Sequence, residues 1–261
     1  MTNTLYVSGC SNSHHLRLDS YKDSWTSQLG FTKVYNHSVC GGSNDFITRQ
    51  AIDFCSRHKP DLAIIQWTQL PRSESFGPEG YGDLYTEQRS FGPEYSYLGV
   101  SSKDKVSFYE WSQHFKPDFY ANLPNGSWVD TPKAKAWTIS EDATTSLFGL
   151  IKNAYILQSF FKENNQPYLF VNGGDLFHAT HFGYQGEESS WYPLSFIDNF
   201  VDGPITAIQP LANMIDKTYW PNVNIMENEI DTGNDGTHGG PITNKAFAEK
   251  VKSYLQNVNN R

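Results

Sequence analysis

The stretch Thr4-Leu5-Tyr6-Val7-Ser8-Gly9-Cys10-Ser11-Asn12-Ser13-His14-His15 decides how the rest of the chain is read. An apolar run of strand length gives way to small and polar residues, the pattern of a short buried strand that ends in a tight turn. The same arrangement recurs downstream. Thr32 to Ser38 reads as a second strand ending at Cys40-Gly41-Gly42-Ser43-Asn44, and Asp61 to Trp67 (DLAIIQW) as a third, continuous enough to be buried on both faces. Between them Ile47, Ala51, Ile52 and Cys55 fall at helical spacing, with Ser43 or Asn44 as the cap and Pro60 as the stop. Tyr21 to Leu29 reads as a short helix before the second strand.

Farther along, Ser140 to about Asn164 predicts a long helix. Glu141 and Asp142 stand in its first turn, and Leu147, Leu150, Ile151, Ala154 and Leu157 lie on its inner face. Pro167 to Asn172 predicts a fourth strand. Gly173 to about Asp202 is irregular, Ile205 to Ile215 predicts a helix, and Val223 to Met226 a fifth strand. A last helix starts at Pro241-Ile242-Thr243, with proline at the helix start. This alternation predicts an α/β fold: a three-layer, flavodoxin-like parallel sheet with helices on both faces. Leu70 to Ser140 breaks it, being rich in Gly, Pro, Tyr, Phe and Trp. That stretch reads as an insertion with short helices around Val106 to Phe115, within one domain spanning residues 1–261.

The net charge of −8 argues against a nucleic-acid partner, which needs a basic surface, and leaves a neutral sugar or small ester open as ligand. No stretch is long enough for a membrane span, and no basic segment with a long apolar run follows Met1. Synthesis in a cytoplasm is therefore expected, with lysis or a virus particle as open routes out. The three cysteines, Cys10, Cys40 and Cys55, are too few and too irregularly spaced for a disulfide framework or a zinc site. Free thiols are expected. Nothing in the sequence sets the oligomeric state.

In an open parallel sheet, ligands bind beyond the carboxyl ends of the strands. Four polar turns fall there or next to the last helix: Ser8 to His15, Cys40 to Asp45, Trp67-Thr68-Gln69, and Asp235-Gly236-Thr237-His238-Gly239-Gly240. Ester chemistry needs a hydroxyl, a histidine to take its proton, a carboxylate to orient that histidine, and donors for the oxyanion. Ser11, His238 and Asp235 supply the first three. The N–H groups of Ser11 and Gly41, with Gln69 or Thr68, are candidates for the oxyanion hole. The plain alternative for Ser11 is a helix-capping serine. His14 and His15 suggest a metal pair, but adjacent histidines point in different directions and lack partners at metal spacing, so no metal is expected. Cys10 is a rival nucleophile.

The blocks Gly9-Cys10-Ser11, Gly41 within Asn36 to Asp45, and Asp235-x-x-His238 before the final helix resemble, in order and placement, those of the SGNH (GDSL-like) hydrolase family. The Gly-Cys-Ser form, the Gly42-Ser43-Asn44-Asp45 continuation and Trp67-Thr68 are similar to uncharacterised members from phage and marine genomes. The resemblance covers the scaffold and both ends of the chain, not Leu70 to Ser140. It implies a cofactor-free serine esterase acting on a small acyl ester or an O-acetylated carbohydrate. An acyltransferase with the same triad is an alternative, and so is a scaffold that binds without catalysis. Cys10 replaces the family's aspartate. Trp67-Thr68-Gln69-Leu70 replaces Gly-x-Asn-Asp in its third block, which favours the binding alternative, while the intact set Ser11, Asp235 and His238 favours the enzyme. Asn44, Trp67, Tyr81 and Trp111 are the expected substrate-binding residues. The aromatic insertion, with Tyr85 and Trp128, is expected to wall the pocket.

Overall fold

The computed structural model describes residues 3–15, 18–39, 42–70, 143–174 and 176–259. The expected insertion lies outside them apart from Leu70, and with it Tyr81, Tyr85, Trp111, Trp128 and the helices around Val106 to Phe115. Cys40, Gly41, Glu141 and Asp142 also lie outside.

Among the described residues, four strands form a parallel sheet: β1 (Thr4–Ser8), β2 (Lys33–Asn36), β3 (Leu62–Trp67) and β4 (Tyr168–Asn172), in the order β2-β1-β3-β4. The chain leaves β1 for one neighbour and later returns to the other side of it, so the strand order reverses at β1. The crevice beside the carboxyl end of β1 is therefore where such a sheet opens to a ligand.

Strand alternation sends successive side chains to two separate cores. Tyr6, Ile65, Trp67 and Phe170 pack with α2 (Asn44–Arg57) and α3 (Ala143–Glu163), through Ile47, Phe54, Leu147 and Ile151. Leu5, Val7, Ile64, Leu169 and Val171 pack on the opposite face with α1 (Trp25–Gln28) and the last helix, through Trp25, Phe247 and Val251. The result is the expected three-layer α/β architecture. Each fully buried Leu, Ile or Phe contributes about 1.5–3 kcal/mol to holding the layers together.

The caps follow the sequence. Ser43 Oγ accepts from Phe46 N at 3.1 Å and starts α2, whose last turn closes at His58 ahead of Pro60. Leu147, Leu150, Ile151, Ala154 and Leu157 are all buried along α3. Cys10 and Cys55 are buried free thiols, and burial pushes the Cys55 thiol up to about 12.

Four expectations need correction. The helix over Tyr21 to Leu29 is two pieces, a 3₁₀ turn at Tyr21–Asp23 and α1, because Ser24 is extended and its hydroxyl caps Ser27 N instead of continuing the first turn. The stretch read as irregular carries a small hairpin, β5 (Phe177–His178) with β6 (Ser189–Ser190), and a helix α4 (Pro193–Asp198). Ile205 to Ile215 is a 3₁₀ turn (Pro204–Ala207) and a short α5 (Gln209–Ala212), since Pro210 has no N–H to carry one continuous helix. The fifth strand shrinks to a single parallel bridge, Asn172 to Asn224. There the Asn224 side chain accepts from Met226 N and donates to Gly174 O and Trp191 O, which turns the chain out of the ladder. The last helix, α6 (Pro241–Asn259), begins where the proline placed it.

Candidate active site

The turn after β1 carries Ser11. Ser13 N donates to Cys10 O at 3.0 Å and His14 N to Ser11 O at 3.1 Å, so the chain folds back on itself with Ser11 at the bend. Asn12 Nδ2 ties this turn to Gly173 O at 2.8 Å, beyond the end of β4, and Asn36 Nδ2 ties it to Ser13 O at 2.8 Å from the end of β2. The turn thus spans the carboxyl edge of the sheet, and Ser11 is only 6% exposed.

The loop before α6 meets it. His238 Nε2 lies 2.7 Å from Ser11 Oγ, and His238 Nδ1 lies 2.6 Å from Asp235 Oδ2. Asp235 Oδ1 accepts the backbone N–H groups of Thr237 and His238, each at 3.1 Å. Burial alone would raise the Asp235 carboxyl. The two N–H groups and the His238 ring outweigh it and hold the group well below the usual carboxylate range. An ionised Asp235 only accepts, so Nδ1 carries the hydrogen and Nε2 is left to accept from the Ser11 hydroxyl. Thr237 Oγ1 stands 3.1 Å from the same Nδ1.

The loop is closed on itself and bolted to α6. Thr232 bridges Gly239, and Gly233 N donates to His238 O at 2.6 Å. Asp231 Oδ2 accepts from Ile242 N at 3.0 Å, and Oδ1 accepts from Thr243 N and Thr243 Oγ1, each at 2.8 Å. One carboxylate therefore caps the first turn of α6 and fixes the base of the loop. Asn244 Nδ2 holds the carbonyls of Gly239 and Gly240, while Asn244 Oδ1 accepts from Trp25 N.

The remaining expected residues separate into two groups. Gly41 lies outside the described residues; on either side of it, Val39 N donates to Gly9 O at 3.1 Å and Gly42 N donates to Val39 O at 2.9 Å. Thr68 and Gln69 follow β3 directly. Thr68 N donates to Asn44 Oδ1 at 2.9 Å and Thr68 O accepts from Asn44 Nδ2 at 3.3 Å. Asn44, expected at the substrate, therefore has both ends of its amide on the Thr68 backbone and braces the end of β3. Trp67, also expected at the substrate, packs instead in the core, 1% exposed against Phe170 and Trp220, because strand alternation puts it on the α2/α3 face. Tyr81 and Trp111 lie outside the described residues.

The rings of His14 and His15 stack at 5.5 Å with an interplanar angle of 10°, so they do not diverge as their adjacency suggested, and burial lowers the His15 imidazole toward its neutral form. Among the described residues no three His, Cys, Asp or Glu side chains gather in a way that would hold a metal ion. No helix among them is long and apolar enough to cross a membrane. Sequence reasoning missed Asn12, Asn36, Asp231, Thr237 and Asn244. Asn12 and Thr237 were within reach, since each adjoins a residue singled out on chemical grounds. The other three act through contacts made only once the sheet and last helix have assembled.

No family model and no curated protein matches the sequence. Solved structures similar to this chain include TesA, at 13% identity over 98% of this chain and 99% of that chain with a TM-score of 0.44. They also include the psychrotrophic esterase EstA from Pseudoalteromonas sp., inhibited by monoethylphosphonate, at 11% identity over 99% and 100% with a TM-score of 0.47.

Proposed function

We propose that the chain is a serine hydrolase of the SGNH type, acting on a small acyl ester or an O-acetylated carbohydrate. The observation that carries this reading is the unbroken relay Ser11 Oγ, His238 Nε2, His238 Nδ1, Asp235 Oδ2, at 2.7 and 2.6 Å, at the carboxyl edge of a parallel sheet. Ser11 Oγ attacks the ester carbonyl carbon as His238 Nε2 takes its proton. The tetrahedral oxyanion collapses, and the alkoxide leaves with that proton. A water, deprotonated by His238, then cleaves the acyl-serine to free acid and regenerates Ser11. Asp235 holds the productive tautomer throughout. The N–H groups of Ser11 and Gly41, with Gln69 or the Thr68 hydroxyl, are the oxyanion donors in this scheme.

A second reading is favoured by one observation. The Thr68 N–H and carbonyl are engaged by Asn44, so the backbone there offers no oxyanion donor, and only the Gln69 amide and the Thr68 hydroxyl stand where the family has its third-block asparagine. A scaffold that binds but turns over slowly fits that arrangement.

The test is hydrolysis of short p-nitrophenyl esters and acetylated sugars by the purified protein, together with labelling by a fluorophosphonate and mapping of the adduct. Turnover with the adduct on Ser11 is expected. No turnover and no adduct would leave the binding reading, and an adduct on Cys10 would replace the nucleophile.

A further inference from the structure

Gln66 is a polar residue in an otherwise apolar strand, fully buried with 0% exposure, one turn of the pleat before the end of β3. Its amide oxygen accepts from Ser13 Oγ at 2.6 Å and from Cys10 Sγ at 3.7 Å, the residues that flank the Ser11 bend. Its amide nitrogen finds no hydrogen-bond partner among the described residues. Two glycines make room for it. A Cβ on Gly9 would fall 2.9 Å from Gln66 Cβ and 3.0 Å from Oε1, and one on Gly173 would fall 2.5 Å from Gln66 Cδ. A side chain at either place would force the amide out from beneath the turn.

Burying an amide costs free energy unless it is bonded, and half of this one is not. The half that is bonded points at the turn that presents Ser11. We infer that Gln66 is a positioning residue: its buried amide oxygen, seated between Gly9 and Gly173, sets the height of the Cys10–Ser13 turn and thereby the contact between Ser11 Oγ and His238 Nε2. This rests on the hydrolase reading above. Gln66 touches no reacting atom, so it acts through orientation alone. Small misplacements of a nucleophile cost about 10²-fold in rate.

Gln66→Met keeps the length and removes the acceptor, leaving the Ser13 hydroxyl without its partner. Gln66→Glu, neutral at a buried site, keeps an oxygen toward Ser13 and alters only the side that bonds nothing. The expected result is a fall in kcat of about 10²-fold in Gln66→Met with KM unchanged, and recovery to within a few-fold of wild type in Gln66→Glu. Crystal structures of the two variants read the same inference without activity. The Ser11 Oγ to His238 Nε2 separation should open beyond about 3.5 Å in Gln66→Met and stay bonded in Gln66→Glu. If Gln66→Met does not fold, Ser13→Ala decides by removing the donor instead, with kcat again falling at constant KM. Unchanged kcat with the contact intact in Gln66→Met, or unchanged kcat in Ser13→Ala, would overturn the inference. A wild-type protein without esterase activity whose contact nonetheless opens in Gln66→Met would sink the hydrolase reading and leave the positioning role standing.

Discussion

Asp235 grips His238 at two points, its Oδ2 facing the ring Nδ1 at 2.6 Å and its Oδ1 accepting the His238 backbone N–H at 3.1 Å. One carboxylate thus fixes both the position and the tautomer of the imidazole. Asp235→Asn keeps an acceptor for the backbone but can present an N–H to Nδ1, which reverses the tautomer. The expected outcome is a drop in kcat of about 10⁴-fold with little change in KM, measured on a p-nitrophenyl ester. An unchanged kcat would remove Asp235 from the mechanism.

In the proposed mechanism Ser11 and His238 act as one unit across their 2.7 Å contact. Ser11→Ala and His238→Ala should each lower kcat by more than about 10⁴-fold, and the double variant should be close to either single one. Multiplicative losses in that cycle would mean that the two residues act independently.

Asp231 links the loop to α6, and its titration should be visible in stability. Burial would raise its carboxyl, but the N–H groups of Ile242 and Thr243 and the Thr243 hydroxyl pull it below the usual range. A depressed folded value means that the stabilisation is full above the unfolded carboxylate value of about 3.9 and is lost as pH falls through the folded value. Asp231→Ala should cost about 0.5–2 kcal/mol at pH 7, as loss of a helix cap does. The gap in Tm between variant and wild type should narrow as pH falls below about 4. A gap constant from pH 7 to pH 3 would contradict the capping role.

Asn44 was expected at the substrate and is found bracing Thr68. Asn44→Ala strands the buried Thr68 N–H and should destabilise the protein by about 1–3 kcal/mol in urea unfolding. Its KM for small esters should stay near wild type. A large rise in KM without loss of stability would return Asn44 to the ligand.

The layers were legible because strand alternation and helix periodicity are local signals. Leu5 and Val7 part from Tyr6, and Leu147, Leu150 and Ile151 line one face of α3, as their spacing requires. That Ser11, Asp235 and His238 meet was legible because reactive residue types sat in short polar turns beside recognisable elements. Trp67 was misplaced through attention to its ring; counting parity from Ala63 and Ile65 would have sent it to the core. Gln66, Asn36 and Asn244 could not be assigned, because each acts on backbone or side chains of another element and so depends on register and docking. The fifth strand failed for a related reason. The apolar character of Val223 and Ile225 signalled burial, while the Asn224 side chain decided the path of the chain.

The two ends of the Ser11 to His238 contact stand 227 positions apart, and the histidine loop is fastened to α6 through Asp231 and Asn244, with α6 held to α1 by the edge-to-face contact of Trp25 and Phe247. During synthesis the Ser11 hydroxyl is therefore made early and the His238 imidazole late, and the contact between them waits for the last helix to seat. On the proposed hydrolase reading, Ser11 is an unactivated alcohol until that contact forms. The same dependence runs in reverse on heating. Departure of α6 alone would separate His238 from Ser11 while the sheet still stands, so on the proposed hydrolase reading fluorophosphonate labelling of Ser11 should fade at a lower temperature than far-ultraviolet ellipticity.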